Sequence, residues 1–149
     1  MATGIVRRSS PCGGRVAGSI WGVDRLVIDG MNVIGSRPDG WWRDRDGAVR
    51  RLLADLQGLA GSGDDYVTLV LDGRPLHDIP EATYEGVRVV YASRSGRDAA
   101  DDRIVELVCD EAEPTALTVV TSDRALAARV SDLGATVSGA GALLRRLGR

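Results

Sequence analysis

Apolar residues in this chain occur in two rhythms. Leu26-Val27-Ile28, Val67-Thr68-Leu69-Val70-Leu71, Val87–Tyr91 and Leu117–Val120 are short, nearly unbroken runs, the pattern of parallel strands buried on both faces. Between them the apolar residues recur at helical spacing. Val49, Leu52, Leu53, Leu56 and Leu59 predict a helix over Asp44–Ala60, with Asp44 as N-cap and Gly61-Ser62-Gly63 as its end. Ile104, Leu107 and Val108 predict a second over Ala99–Ala112, stopped by Pro114, and Leu126, Val130 and Leu133 a third near Asp123–Leu133. A short strand, Ala135–Val137, and a helix over Leu143–Leu147 complete the pattern, while Gly30–Arg43 reads as a loop rich in Gly and Pro. Residues 1–23, rich in Gly, Ser and Arg with no apolar period, read as a disordered arm whose end Trp21 packs onto the domain, residues 24–149.

Strands alternating with helices over short connections build a parallel sheet covered on both faces. Strands two and three depart from that alternation, because only a loop holding His77 separates them. The expected fold is therefore α/β, three-layered and Rossmann-like, with strand order 3-2-1-4-5. Its switch point falls between strands one and four, and open α/β sheets bind ligands there, beyond the carboxyl ends of the strands.

Acidic residues mark those ends. Asp29 follows Leu26-Val27-Ile28, Asp72 follows Leu71, Asp123 follows Val120-Thr121-Ser122, and Asp101 with Asp102 follows the turn at Ser95-Gly96. Singly, each has a local explanation. Asp98 and Asp101 suit an N-cap and a first helical turn, Ser122 suits a cap with Asp123 in the first turn, and Asp72-Gly73 suits a tight turn. Together they imply more. Two carboxylates about 5 Å apart repel by roughly 3 kcal/mol at an effective dielectric near 20. Convergence of Asp29, Asp101 and Asp123 then calls for a neutralising cation or a carboxyl group kept protonated by a raised pKa.

Composition narrows the choice of cation. Cys12 and Cys109 lie far apart and His77 is the only histidine, so a structural zinc site is disfavoured and a hard cation on oxygen ligands is expected. All 19 basic residues are Arg. The absence of Lys disfavours a P-loop, a Schiff-base enzyme and a phospho-receiver domain. A net charge of −2 does not announce a nucleic-acid binder. The sum conceals Arg7, Arg8 and Arg15 in the acid-free segment 1–23, and Arg37, Arg43, Arg45, Arg50 and Arg51 after the first strand. No stretch approaches the roughly 18 apolar residues of a membrane span, and the basic N-terminus has no apolar h-region. A cytoplasmic protein without a membrane partner is the expectation.

Val27-Ile28-Asp29-Gly30-Met31-Asn32-Val33-Ile34-Gly35, Leu71-Asp72-Gly73, Ala99-Ala100-Asp101-Asp102-Arg103-Ile104 and Val120-Thr121-Ser122-Asp123-Arg124 together resemble the NYN family of PIN-like nucleases, in particular its YacP-like bacterial branch. The resemblance spans about Arg25 to Leu147 and implies a PIN-like fold and metal-dependent cleavage of RNA. It assigns Asp29, Asp101 and Asp123 to one or two ions of Mg²⁺ or Mn²⁺, with Asn32 as their polar partner in catalysis. Asp102 is a further metal-ligand candidate, with Asp72 and Asp98 in support beside the site. The implied reaction is endonucleolytic hydrolysis by a metal-activated water, leaving 5′-phosphate and 3′-hydroxyl ends. RNA is the expected partner, with a ribosome or other ribonucleoprotein as a further one.

Arg43, Arg45, Arg94 and Arg97 lie on loops expected at the site's edge, where the planar guanidinium fork suits phosphate. Thr121 and Ser122 are candidates for positioning metal waters or a phosphate. Trp41 and Trp42 are candidates for stacking on unpaired bases; adjacent residues rarely both face a core, so one is expected to be exposed, and Trp41 is taken as the substrate contact. Two other readings compete. A PIN-like module that binds RNA or a ribosome without cutting has no need of the carboxylates. A phosphatase of the haloacid-dehalogenase kind, with Asp29 as nucleophile, wants a second Asp where Met31 stands.

Overall fold

A computed structural model describes residues 25–37, 39–61, 66–92 and 99–148. The expected arm, with Trp21 and Cys12, and the loop residues Arg94, Arg97 and Asp98 lie outside the described residues.

The first apolar run forms β1 (Arg25–Asp29), which pairs in parallel with β2 (Tyr66–Leu71) on one side and β5 (Leu117–Val120) on the other. Outside these lie β4 (Val87–Tyr91), parallel to β2, and β6 (Thr136–Ser138), parallel to β5. The five expected strands therefore stand in the expected order. A sixth extends the edge: β3 (Ala82–Tyr84) runs antiparallel to β4, so the full order is β3-β4-β2-β1-β5-β6. Glu85 and Gly86, with φ of 48° and 91°, form the two-residue turn between β3 and β4. Positive φ at both central positions matches the twist of a tight hairpin.

Among the described residues, five α-helices cover the sheet. One face carries α1 (Gly30–Gly35), α2 (Arg45–Gly61) and α5 (Ala140–Arg146), and the other α3 (Ala99–Asp110) and α4 (Arg124–Asp132). Alternation along β1 divides its side chains accordingly. Leu26 and Ile28 join the core beneath the first group, and Val27 joins the core beneath the second. Asp44 caps α2 as expected, its Oδ1 accepting the Gly47 N–H at 3.0 Å. Among the described residues, no helix is long and apolar enough to cross a membrane.

The short helix α1 replaces the first half of the expected Gly30–Arg43 loop. It is stabilised by tertiary burial rather than by propensity: Val33 and Ile34 are fully buried, and the buried Arg37 just beyond it pairs with Asp55 of α2 at 2.9 Å. Gly30 has an unstrained backbone, so its role is not to supply a left-handed turn. A Cβ there would lie 2.7 Å from a Leu71 methyl and 2.9 Å from the Val70 carbonyl oxygen. Only glycine lets β1 pass into helix this close to β2. Gly30→Ala is expected to lower stability by about 1–3 kcal/mol through overpacking, read as a fall in the urea midpoint. An unchanged midpoint would show that the junction has slack.

Candidate active site

The topology delivers acids to one rim. Asp29 is the last residue of central β1, Asp72 stands one position beyond β2, and Asp123 stands three beyond β5 as the N-cap of α4. Asp101 occupies the first turn of α3, the helix that descends from the same rim and packs on β1 and β2.

A short run of polar residues after β5 holds this rim together. Thr121 is 2% exposed, and its hydroxyl donates to Asp29 Oδ2 at 2.8 Å while accepting the Asp123 N–H at 3.1 Å. Asp123 Oδ1 in turn accepts the N–H groups of Ala125 and Leu126, at 2.9 and 3.1 Å. Ser122 donates its backbone N–H to Asn32 Oδ1 at 2.8 Å and accepts the Ala140 N–H on its hydroxyl at 3.0 Å. Thr, Ser and Asp bond nearby backbone groups readily, so three consecutive residues tie β1, α1, α4 and α5 to one point. The Ser122 contact also fixes the Asn32 amide: its oxygen faces the loop, which leaves the NH₂ for other partners.

Asp29 is 5% exposed. Burial pushes its pKa above the ordinary 3.8; the Thr121 hydroxyl opposes that shift, and the Asp123 and Asp72 carboxylates add to it. Asp29 therefore feels both neighbouring acids across the rim.

Several expected roles shift. Asp102 was a candidate metal ligand, but its carboxylate pairs with Arg129 of α4 at 3.2 Å and so ties two helices together. Arg45 pairs with Asp72, its Nη2 lying 3.1 Å from Oδ1 and 2.9 Å from the Asp72 carbonyl oxygen. Thr121 acts on Asp29 rather than on solvent, and the Ser122 hydroxyl caps α5. Trp41, taken as the stacking residue, packs against the core, whereas Trp42 is 62% exposed with the Arg43 guanidinium 5.6 Å from its ring centroid. His77 is exposed and Cys109 is partly buried.

Among the described residues, no three Asp, Glu, His or Cys side chains stand at metal-binding spacing. The convergence expected of Asp29, Asp101 and Asp123 thus does not form a closed ligand set. Like charges repel, and protein donors already hold both carboxylates: the Thr121 hydroxyl and the Asn32 backbone N–H on Asp29, and the Ala125 and Leu126 N–H groups on Asp123. The carboxylates that act on each other across the rim, Asp29 with Asp123 and Asp72, are anionic oxygen donors, which suits a hard divalent cation rather than zinc.

A family model described as the YacP-like NYN domain matches residues 26–149. The fold is similar to the crystal structure of Rae1 (YacP) from Bacillus subtilis, with 25% identity, a TM-score of 0.68, and 84% of this chain and 74% of that one covered. A tryptophan-to-leucine mutant of the same protein matches with 24% identity, a TM-score of 0.67 and the same coverage. No curated protein matches the chain.

A raised pKa means that the native protein holds a proton at Asp29 more readily than the unfolded chain does. The ionised carboxylate therefore lowers stability, increasingly as pH rises above 3.8. Asp29→Asn is expected to unfold at a higher urea concentration than the wild type at neutral pH, with the difference shrinking on acidification. A variant less stable at every pH would contradict this.

Proposed function

The chain belongs to the YacP-like NYN domain family, of PIN-like ribonuclease type, and on that premise we propose that it is a cytoplasmic endoribonuclease dependent on Mg²⁺ or Mn²⁺. It hydrolyses RNA phosphodiester bonds with water as nucleophile, leaving 5′-phosphate and 3′-hydroxyl ends. The observation that carries this reading is the buried Asp29 carboxylate, held by Thr121 and repelled by Asp123 and Asp72. A module that only held RNA would gain nothing from burying that charge, whereas a site that recruits a cation uses it.

Asp29 and Asp123 would hold the cation, and Asp101 would approach from α3. When bound, the ion neutralises phosphate charge and lowers the pKa of water at neutral pH. The protein's own groups do the rest. Thr121 fixes the rotamer of Asp29, so the carboxylate is oriented before substrate arrives. Asn32, its oxygen anchored by Ser122, turns its NH₂ toward the rim as a donor to a phosphate oxygen. Arg43, exposed beside Trp42, supplies a guanidinium for the backbone next to a base-stacking ring. Arg45, braced by Asp72, is a second positive group on the same side.

Purified protein incubated with single-stranded and structured RNA in Mn²⁺ is expected to produce cuts with 5′-phosphate ends and to lose them on addition of EDTA. Thr121→Val should reduce cleavage about 10- to 100-fold, the usual effect of removing a group that orients a ligand, and Asp29→Asn by more, both with unchanged far-UV circular dichroism. Cleavage that survives EDTA and Asp29→Asn would refute the mechanism. RNA binding without cleavage, and without Mn²⁺ uptake by calorimetry, would establish the non-catalytic alternative.

A further inference from the structure

Along the rim from Asp29, a cavity of about 570 Å³ opens beyond the carboxyl end of β4. Its volume lies within the usual range for a small-ligand pocket. Pro75, Pro80, Tyr91 and Ala92 line it together with Arg103, Glu106 and Glu81, and the lining surface is largely apolar. None of these residues is needed by the cleavage chemistry above.

The pocket is preformed. The Tyr91 hydroxyl donates to the Ile79 carbonyl at 2.7 Å and accepts the Leu76 N–H at 3.3 Å, which pins the loop bearing Pro75 and Pro80. Glu81 Oε2 accepts the Tyr91 N–H at 2.8 Å, so Glu81 serves the wall. Arg103 donates to Glu106 Oε1 at 3.1 Å, one turn apart on α3. The pair sets a guanidinium and a carboxylate side by side.

The cavity's place ties it to the candidate active site. Ala92 donates its N–H to the Leu71 carbonyl at 2.9 Å, so its floor adjoins the strand end that carries Asp72. Two strand spacings, roughly 10 Å, separate β4 from β1 and Asp29. Helix α3, whose first turn holds Asp101, supplies Arg103 and Glu106.

Rigid, largely apolar walls suit an aromatic ring, and an acceptor and donor pair in the lining suits a ring with both edges polar. Guanine matches both: its N1–H and 2-amino group are adjacent donors for a carboxylate, and O6 with N7 is the acceptor pair that Arg reads. Adenine and uracil do not present two adjacent donors. From this we infer that the Pro75–Pro80–Tyr91 cavity, with Arg103 and Glu106 in its lining, receives an unpaired guanine flanking the bond to be cut. The inference takes its substrate from the ribonuclease reading and gives that site a sequence preference.

The test separates the two readings. Short oligouridylates carrying a single guanine, inosine or adenine are titrated into the full chain in EDTA and followed by NMR, and the same oligomers are incubated in Mn²⁺ to score cleavage. The guanine oligomer is expected to move the Tyr91 and Ala92 amide resonances. It should bind about tenfold more tightly than the inosine oligomer, which lacks the 2-amino group, or the adenine oligomer. Glu106→Gln should erase most of the difference from the inosine oligomer, and Arg103→Ala most of the O6-dependent difference from the adenine oligomer; both residues lie at the surface of α3. Equal affinity for the three oligomers, or a guanine preference that survives both substitutions, overturns the pocket assignment even if cleavage is observed. Guanine binding without cleavage keeps the pocket and rejects the nuclease.

Discussion

A carboxylate withheld from water at the end of the central strand is the constraint around which this rim is arranged. Asp29 has strands on both sides, Gly30 pressed against β2 behind it and the Thr121 hydroxyl on one oxygen. Such a group is unfavourable unless bonded or neutralised. The protein supplies the Thr121 hydroxyl and the Asn32 backbone N–H as donors and then sets two more acids within electrostatic reach. A fold selected for stability alone would place an apolar or amide side chain here. The trade of stability for a poised charge is typical of functional sites.

The surrounding polar network follows from that choice. Thr121, Ser122 and Asp123 are contiguous, yet each fastens a different element: Thr121 the end of β1, Ser122 both α1 and α5, and Asp123 the start of α4. These bonds hold Asp29, Asp123 and Asn32 in one geometry. Charges that would otherwise crowd the rim are offset locally, Asp72 by Arg45 and Asp102 by Arg129. Exposed Trp42 with Arg43 over its ring, and the Tyr91 cavity, are the two surfaces that the proposed reading assigns to unpaired bases.

The central sheet was legible in the sequence because buried parallel strands need apolar residues on both faces, and Val67–Leu71 or Leu117–Val120 admit few other readings. The edge strand Ala82–Tyr84 was not, since it is exposed and polar and follows Pro80. Its one signal was the Glu85-Gly86 turn. Helix α1 hid behind Gly30 and Asn32, both poor helix formers, and is held instead by burial of Val33 and Ile34. At the site, position along the chain placed Asp29, Asp72 and Asp123 on one rim but said nothing of their partners. Asp102 and Arg129 are 27 residues apart, and Thr121 and Asp29 are 92 apart. Such pairs depend on how helices and loops settle in three dimensions. Adjacency of Trp41 and Trp42 says only that one of them is exposed; which one packs on the core is decided by the course of the chain after α1.

The central claim is that Asp29 and its neighbours hold a hard divalent cation, and paramagnetic broadening by Mn²⁺ tests it without reference to any substrate. Titration of the full chain with substoichiometric Mn²⁺ should selectively broaden the amide resonances of Asp29–Asn32, Asp101 and Thr121–Ala125, and Mg²⁺ in excess should restore them. Broadening spread over exposed acids such as Asp46, Asp110 and Asp132, with the Asp29 region untouched, would contradict the account.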